Sequence, residues 1–161
     1  MNARLRVLYV HGLEGSPQGH KARYLRQRFD VVAEAMDTSD FERCVRQQAD
    51  VIARERPDVV VGSSFGGAVA AALVQRGKWR GPTLLLAPAL RHLGVERTLP
   101  AGLPIAIVHG TRDAVVAIDD SRALARALGV ELIEIDDEHR LEALLEGERF
   151  AELTRRIAGA H

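Results

Sequence analysis

The chain has 161 residues, 47% of them hydrophobic and 27% charged, which predicts one domain around one core and leaves no room for a second catalytic domain. Its 22 Lys and Arg balance 22 Asp and Glu, so it lacks the broad positive field that favours nucleic-acid or anionic-membrane partners. The longest apolar run, 68–74, has seven residues against the roughly 20 that span a bilayer, the apolar residues 7–10 stop at His11-Gly12 before a secretory segment forms, and the lone Cys44 excludes an intrachain disulfide framework; a cytoplasmic protein is expected.

Short β-branched runs at 5–10, 31–34, 58–62, 83–87, 105–109 and 131–135 alternate with segments of helical period at 20–29, 41–55, 65–77, 117–128 and 147–158. The runs are too short for helices and too continuously apolar for half-exposed strands, as in parallel strands covered on both faces. The third run starts after Pro57; Asp119 and Asp120 open the helix from 117 and Gly129 closes it. Cys44 shares a helical face with Phe41, Val45 and Gln48 and reads as a half-buried structural thiol. Together these elements predict a three-layer α/β/α sandwich over residues 1–161, with a mostly or wholly parallel six-stranded sheet. Sites in that class lie beyond the carboxyl ends of the strands.

The first run ends in His11-Gly12-Leu13-Glu14-Gly15-Ser16-Pro17. A histidine before glycine at a strand end reads as a structural hydrogen-bonding group, and His109 reads the same way. Glycines 12, 15 and 19 with Glu34 downstream miss the G-x-G-x-x-G spacing, which argues against dinucleotide binding. The third run leads into Gly62-Ser63-Ser64-Phe65-Gly66-Gly67, a G-x-S-x-G pattern between a strand and an alanine-rich helix. Small neighbours let a serine sit exposed on such a strained turn, which makes Ser64 the candidate nucleophile.

A serine needs a base to take its proton, and the base needs a third group to set its tautomer. The fifth run ends in His109-Gly110-Thr111-Arg112-Asp113, and the sixth is followed by Asp136-Asp137-Glu138-His139. His139 is the candidate base. Asp113, from the neighbouring strand, reaches it most directly; Asp136 and Asp137 are the rival orienting acids, though they would have to curl back on their own loop. An oxyanion needs two donors, for which the backbone amides of Phe65 and Leu13 are the candidates.

These motifs, in this order, resemble the α/β-hydrolase superfamily across essentially the whole chain. The first-loop and elbow segments, together with Pro88-Ala89-Leu90-Arg91, are more narrowly similar to the small bacterial YqiA-like esterases. The resemblance implies a catalytic triad of Ser64, Asp113 and His139, an oxyanion hole at Leu13 and Phe65, and hydrolysis of a small acyl ester or thioester without metal or organic cofactor. It departs from larger relatives in starting at the first parallel strand and in the short stretch between Ala87 and Ile105, where lids are inserted elsewhere. A minimal, cap-free fold with an open site is expected, with Leu13, Phe65, Leu90, Arg91 and His92 as substrate-binding candidates. The alternative is a non-catalytic or regulatory ligand-binding protein on the same fold.

Overall fold

Successive side chains along the central strands enter opposite cores, as the period of two requires. Leu8, Val10, Val60, Leu85 and Ile107 point into one apolar cluster, and Val7, Tyr9, Val59, Val61, Leu84, Leu86 and Val108 into the other. The computed structural model describes residues 4–13 and 15–159; Glu14 of the first-loop motif lies outside the described residues. Its strands are β1 (Arg6–Val10), β2 (Asp30–Val32), β3 (Val59–Ser63), β4 (Thr83–Leu86), β5 (Ile105–Gly110) and β6 (Glu131–Ile135). They form one wholly parallel sheet in the order β2-β1-β3-β4-β5-β6.

Among the described residues five α-helices cover the sheet: α1 (His20–Arg26), α2 (Phe41–Glu55), α3 (Phe65–Gln75), α4 (Ile118–Leu128) and α5 (Arg149–Ile157). Residues of α2, α3 and α4 fill the first cluster, while Ala22, Tyr24 and Leu25 of α1 and Phe150 and Ala151 of α5 fill the second. The result is the three-layer sandwich expected from the sequence. The alanine-rich α3 is buried from Phe65 to Val74, because small side chains let it lie close to the sheet beneath α2. The second strand starts at Asp30 rather than Val31 and stops at Val32. The first helix ends at Arg26, and in the turn that follows the Arg28 and Phe29 N–H groups both bond the Leu25 carbonyl as Phe29 enters the core.

The end of α4 follows expectation and its start does not. Asp40 caps α2 by accepting the Arg43 N–H, and Gly129 closes α4 in the left-handed conformation at φ 67°. Ala117 precedes α4 without a side-chain cap; Asp119 and Asp120 lie inside its first turn, where Asp120 pairs with Arg91 and Arg97. Cys44 is more than half-buried: it is 1% exposed, and its thiol donates to the Asp37 carbonyl. Between β4 and β5 there is a single 3-10 turn, Leu90–Leu93, and no cap. Among the described residues no helix is long and apolar enough to cross a membrane.

The strand order reverses between β1 and β3, since β2 lies on one side of β1 and all later strands lie on the other. Such a switch point opens a crevice beyond the strand ends, because the two following connections leave toward opposite faces. The loop after β1 and the turn from β3 into α3 meet there.

Candidate active site

Ser64 sits between β3 and α3 at φ 56° and ψ −114°, a strained region for a residue with a Cβ. Backbone bonds hold it there: its N–H donates to the Leu86 carbonyl, and its own carbonyl accepts from Ala68 and Ala89. The following turn packs directly on β1. A Cβ at Gly66 would overlap the Val10 carbonyl oxygen and lie 2.5 Å from that of His11, so only glycine fits.

Three side chains from three different strand ends converge. His139 Nε2 is 2.9 Å from Ser64 Oγ, and His139 Nδ1 is 2.7 Å from Asp113 Oδ2. The carboxylate makes Nδ1 the donor, which leaves the Nε2 lone pair facing the serine hydroxyl. The Asp113 side chain is fully buried, and its Oδ1 accepts the Val115 and Val116 N–H groups, each at 2.8 Å. Burial pushes the Asp113 carboxyl up, but the Val116 amide, the His139 ring and the Val115 amide together outweigh it and hold the group below the usual 3.8.

The loop after β6 carries His139 because β5 admits it. A Cβ on Gly110 would overlap the Asp137 carbonyl oxygen and stand 2.8 Å from that of Glu138. The Thr111 and Arg112 amides then bond the Ile135 and Asp137 carbonyls. Lys21 of α1 reaches across to donate to the Arg140 carbonyl at 2.6 Å. Asp136 and Asp137 are engaged away from the His139 ring: Asp136 pairs with Arg112, and Asp137 accepts from the Glu138 and Ala143 amides.

The β1 loop completes the crevice. A Cβ at Gly12 would lie 3.2 Å from Ser64 Cβ and 3.9 Å from the Phe65 nitrogen, which brings Leu13 beside the elbow. His11 is buried and occupied: its Nε2 accepts the Met36 N–H, so its Nδ1 donates to the Gly12 carbonyl.

The side chains expected to bind substrate are distributed unevenly. Leu13 is 58% exposed, whereas Phe65 and Leu90 are core residues at 1% and 0% and present no ligand-facing surface. Arg91 is exposed and paired with Asp120, so it is not a free cation. The His92 ring stacks on Phe41 and meets Phe65 edge-on, with centroids 5.6 and 5.1 Å away. Sequence reasoning missed three contributors: Lys21, Ser121 and the contact of His109 with Asp113. The His109-Gly110 pair marked the position of His109 without identifying its partner.

The model of an uncharacterised protein family, UPF0227, matches residues 6–99. No curated protein matches the chain. Among solved structures, a protein from Xanthomonas campestris pv. campestris assigned to the alpha/beta hydrolase superfamily is similar at TM-score 0.79 and 23% identity, covering 96% of this chain and 99% of that one. A protein from Pectobacterium atrosepticum described as YdeN-like is similar at TM-score 0.73 and 20% identity, covering 97% and 90%. An alpha-beta serine hydrolase homologue from Coxiella burnetii is similar at TM-score 0.69 and 16% identity, covering 96% and 83%.

Proposed function

The chain belongs to the uncharacterised protein family UPF0227 and has the α/β-hydrolase fold, and from that premise we propose that it is a serine hydrolase cleaving a small acyl ester or thioester. The observation that carries this reading is the continuous chain from Ser64 Oγ through the His139 ring to the buried Asp113 carboxylate.

His139 Nε2 takes the Ser64 hydroxyl proton as Oγ attacks the substrate carbonyl carbon. Asp113 holds the ring in the tautomer that exposes that lone pair and stabilises the imidazolium that forms. The Phe65 and Leu13 amides receive the developing oxyanion, whose stabilisation by such donors is usually the largest single contribution to rate. Collapse of the tetrahedral adduct breaks the bond to the leaving alcohol or thiol, which takes the proton from His139. Water, deprotonated by the same nitrogen, then attacks the acyl-enzyme, and the acid departs as Ser64 Oγ regains its proton. The cap-free edge and exposed Leu13 suit a small acyl group approaching from open solvent.

The test is hydrolysis of short- and medium-chain p-nitrophenyl esters and thioesters by wild type and Ser64→Ala, with fluorophosphonate labelling followed by intact mass. Turnover and labelling lost together in Ser64→Ala support the reading, whereas undiminished hydrolysis by that variant overturns it. Labelling at Ser64 with no turnover across the panel would instead support a ligand-binding role.

A further inference from the structure

Resting on the serine-hydrolase reading, we infer that His109 is a positioning residue of the site. It fixes the Asp113 carboxylate in the orientation that receives His139, and Ser121 fixes His109 in the tautomer this requires.

The geometry makes one ring nitrogen a donor. His109 is fully buried near the end of β5, and its Nε2 is 3.0 Å from Asp113 Oδ2 and 3.0 Å from the Val116 carbonyl oxygen. Both partners are acceptors, so Nε2 carries the proton and shares it between them. In the neutral ring Nδ1 is then an acceptor, and the buried Ser121 hydroxyl, 2.7 Å away, donates to it from the first turns of α4. Burial also pulls the His109 pKa below 6.5, outweighing the upward pull of Val116 and Asp113, and so favours the neutral ring.

This arrangement constrains Asp113 from both ends. Oδ1 is fixed by the Val115 and Val116 amides, while Oδ2 is placed between His139 and His109. Val116 contributes its N–H to the carboxylate and its carbonyl to His109, tying the 113–116 turn to β5. Rotation of the carboxylate away from His139 would break contacts on both sides. His109 stays one residue removed from the reacting atoms and acts through Asp113.

The experiment compares wild type, His109→Phe, His109→Gln and Ser121→Ala, each shown to fold by circular dichroism. The rate of fluorophosphonate labelling at Ser64 reports the nucleophile without requiring a known substrate. The downfield proton resonance of His139 Nδ1–H reports its bond to Asp113 without requiring activity. His109→Phe removes the donor and is expected to slow labelling by about tenfold or more, as expected for loss of a hydrogen bond to a charged group, and to displace the resonance. His109→Gln restores an N–H near the Nε2 position and is expected to recover both readouts.

A folded His109→Phe with wild-type labelling and an undisplaced resonance overturns the inference, as does His109→Gln behaving no better than His109→Phe. Should His109→Phe not fold, Ser121→Ala carries the test: slower labelling with a displaced resonance supports the inference, and no change in either overturns it. Absence of labelling in wild type would refute the serine-hydrolase reading, and the resonance alone would then decide whether His109 positions Asp113.

Discussion

Gly66 and Val10 leave no room for a methyl group between them, since a Cβ on Gly66 would overlap the Val10 carbonyl oxygen. The obstacle is backbone on a central strand, so no side-chain rotation relieves it. Gly66→Ala is expected to destabilise the fold by roughly 1–3 kcal/mol or more, as overpacking against fixed backbone does. Urea unfolding would read the loss, and fluorophosphonate labelling of the folded fraction should fall as the turn carrying Ser64 shifts.

Asp113→Asn tests the orienting role directly. An amide can present N–H to His139 Nδ1 and favour the tautomer whose Nε2–H faces Ser64, leaving no base for its proton. Turnover should fall on the order of 10³–10⁴-fold with KM little changed. Steady-state kinetics on the best ester of the panel would measure it.

The pH dependence of stability has a determined sign. His109 is held below its unfolded value of 6.5, so below that pH the unfolded chain binds more protons than the folded one. The neutral-ring stabilisation is therefore complete above about 6.5 and is lost as pH falls toward the folded value. His109→Gln should flatten this part of the profile. Asp113, also depressed in the folded state, contributes stability above its unfolded value of 3.8 that is lost as pH falls through its lower folded value. Urea midpoints of wild type and His109→Gln between pH 4 and 8 would separate the first effect from the second.

Lys21 ties α1 to the carbonyl beside His139, and its ammonium pKa is lowered mainly by burial. Lys21→Met keeps the aliphatic stem and removes the donor, at a cost of about 1–2 kcal/mol of local stability. Amide exchange at Leu141, which donates to the Glu138 carbonyl, should quicken about tenfold, while global unfolding changes less.

His92 packs on Phe41 and on Phe65, the residue that follows Ser64, and such ring pairs are worth about 0.5–1.5 kcal/mol each. In His92→Ala, KM for medium-chain esters is expected to rise about threefold to tenfold while kcat changes less. Unaltered chain-length preference would place the acyl group elsewhere.

The local sequence determined what depends on neighbours along the chain. Unbroken apolar runs marked strands buried on both faces, and glycines 62, 66 and 67 marked a tight strand-to-helix turn at Ser64. Asp113 and His139 could be nominated because strand ends in this class point at one edge, whatever the detailed packing. The tertiary structure decided the matters that depend on what crosses between elements. It gave Asp136 and Asp137 to other partners, buried Phe65 and Leu90, ended α1 at Arg26 ahead of the inward turn of Phe29, and brought Lys21 to the His139 loop. It also brought Ser121 and Asp113 to opposite nitrogens of one buried ring. A histidine reads the same in a sequence whether it fills a core or holds a carboxylate, because its role is set by the donors and acceptors that folding brings within 3 Å.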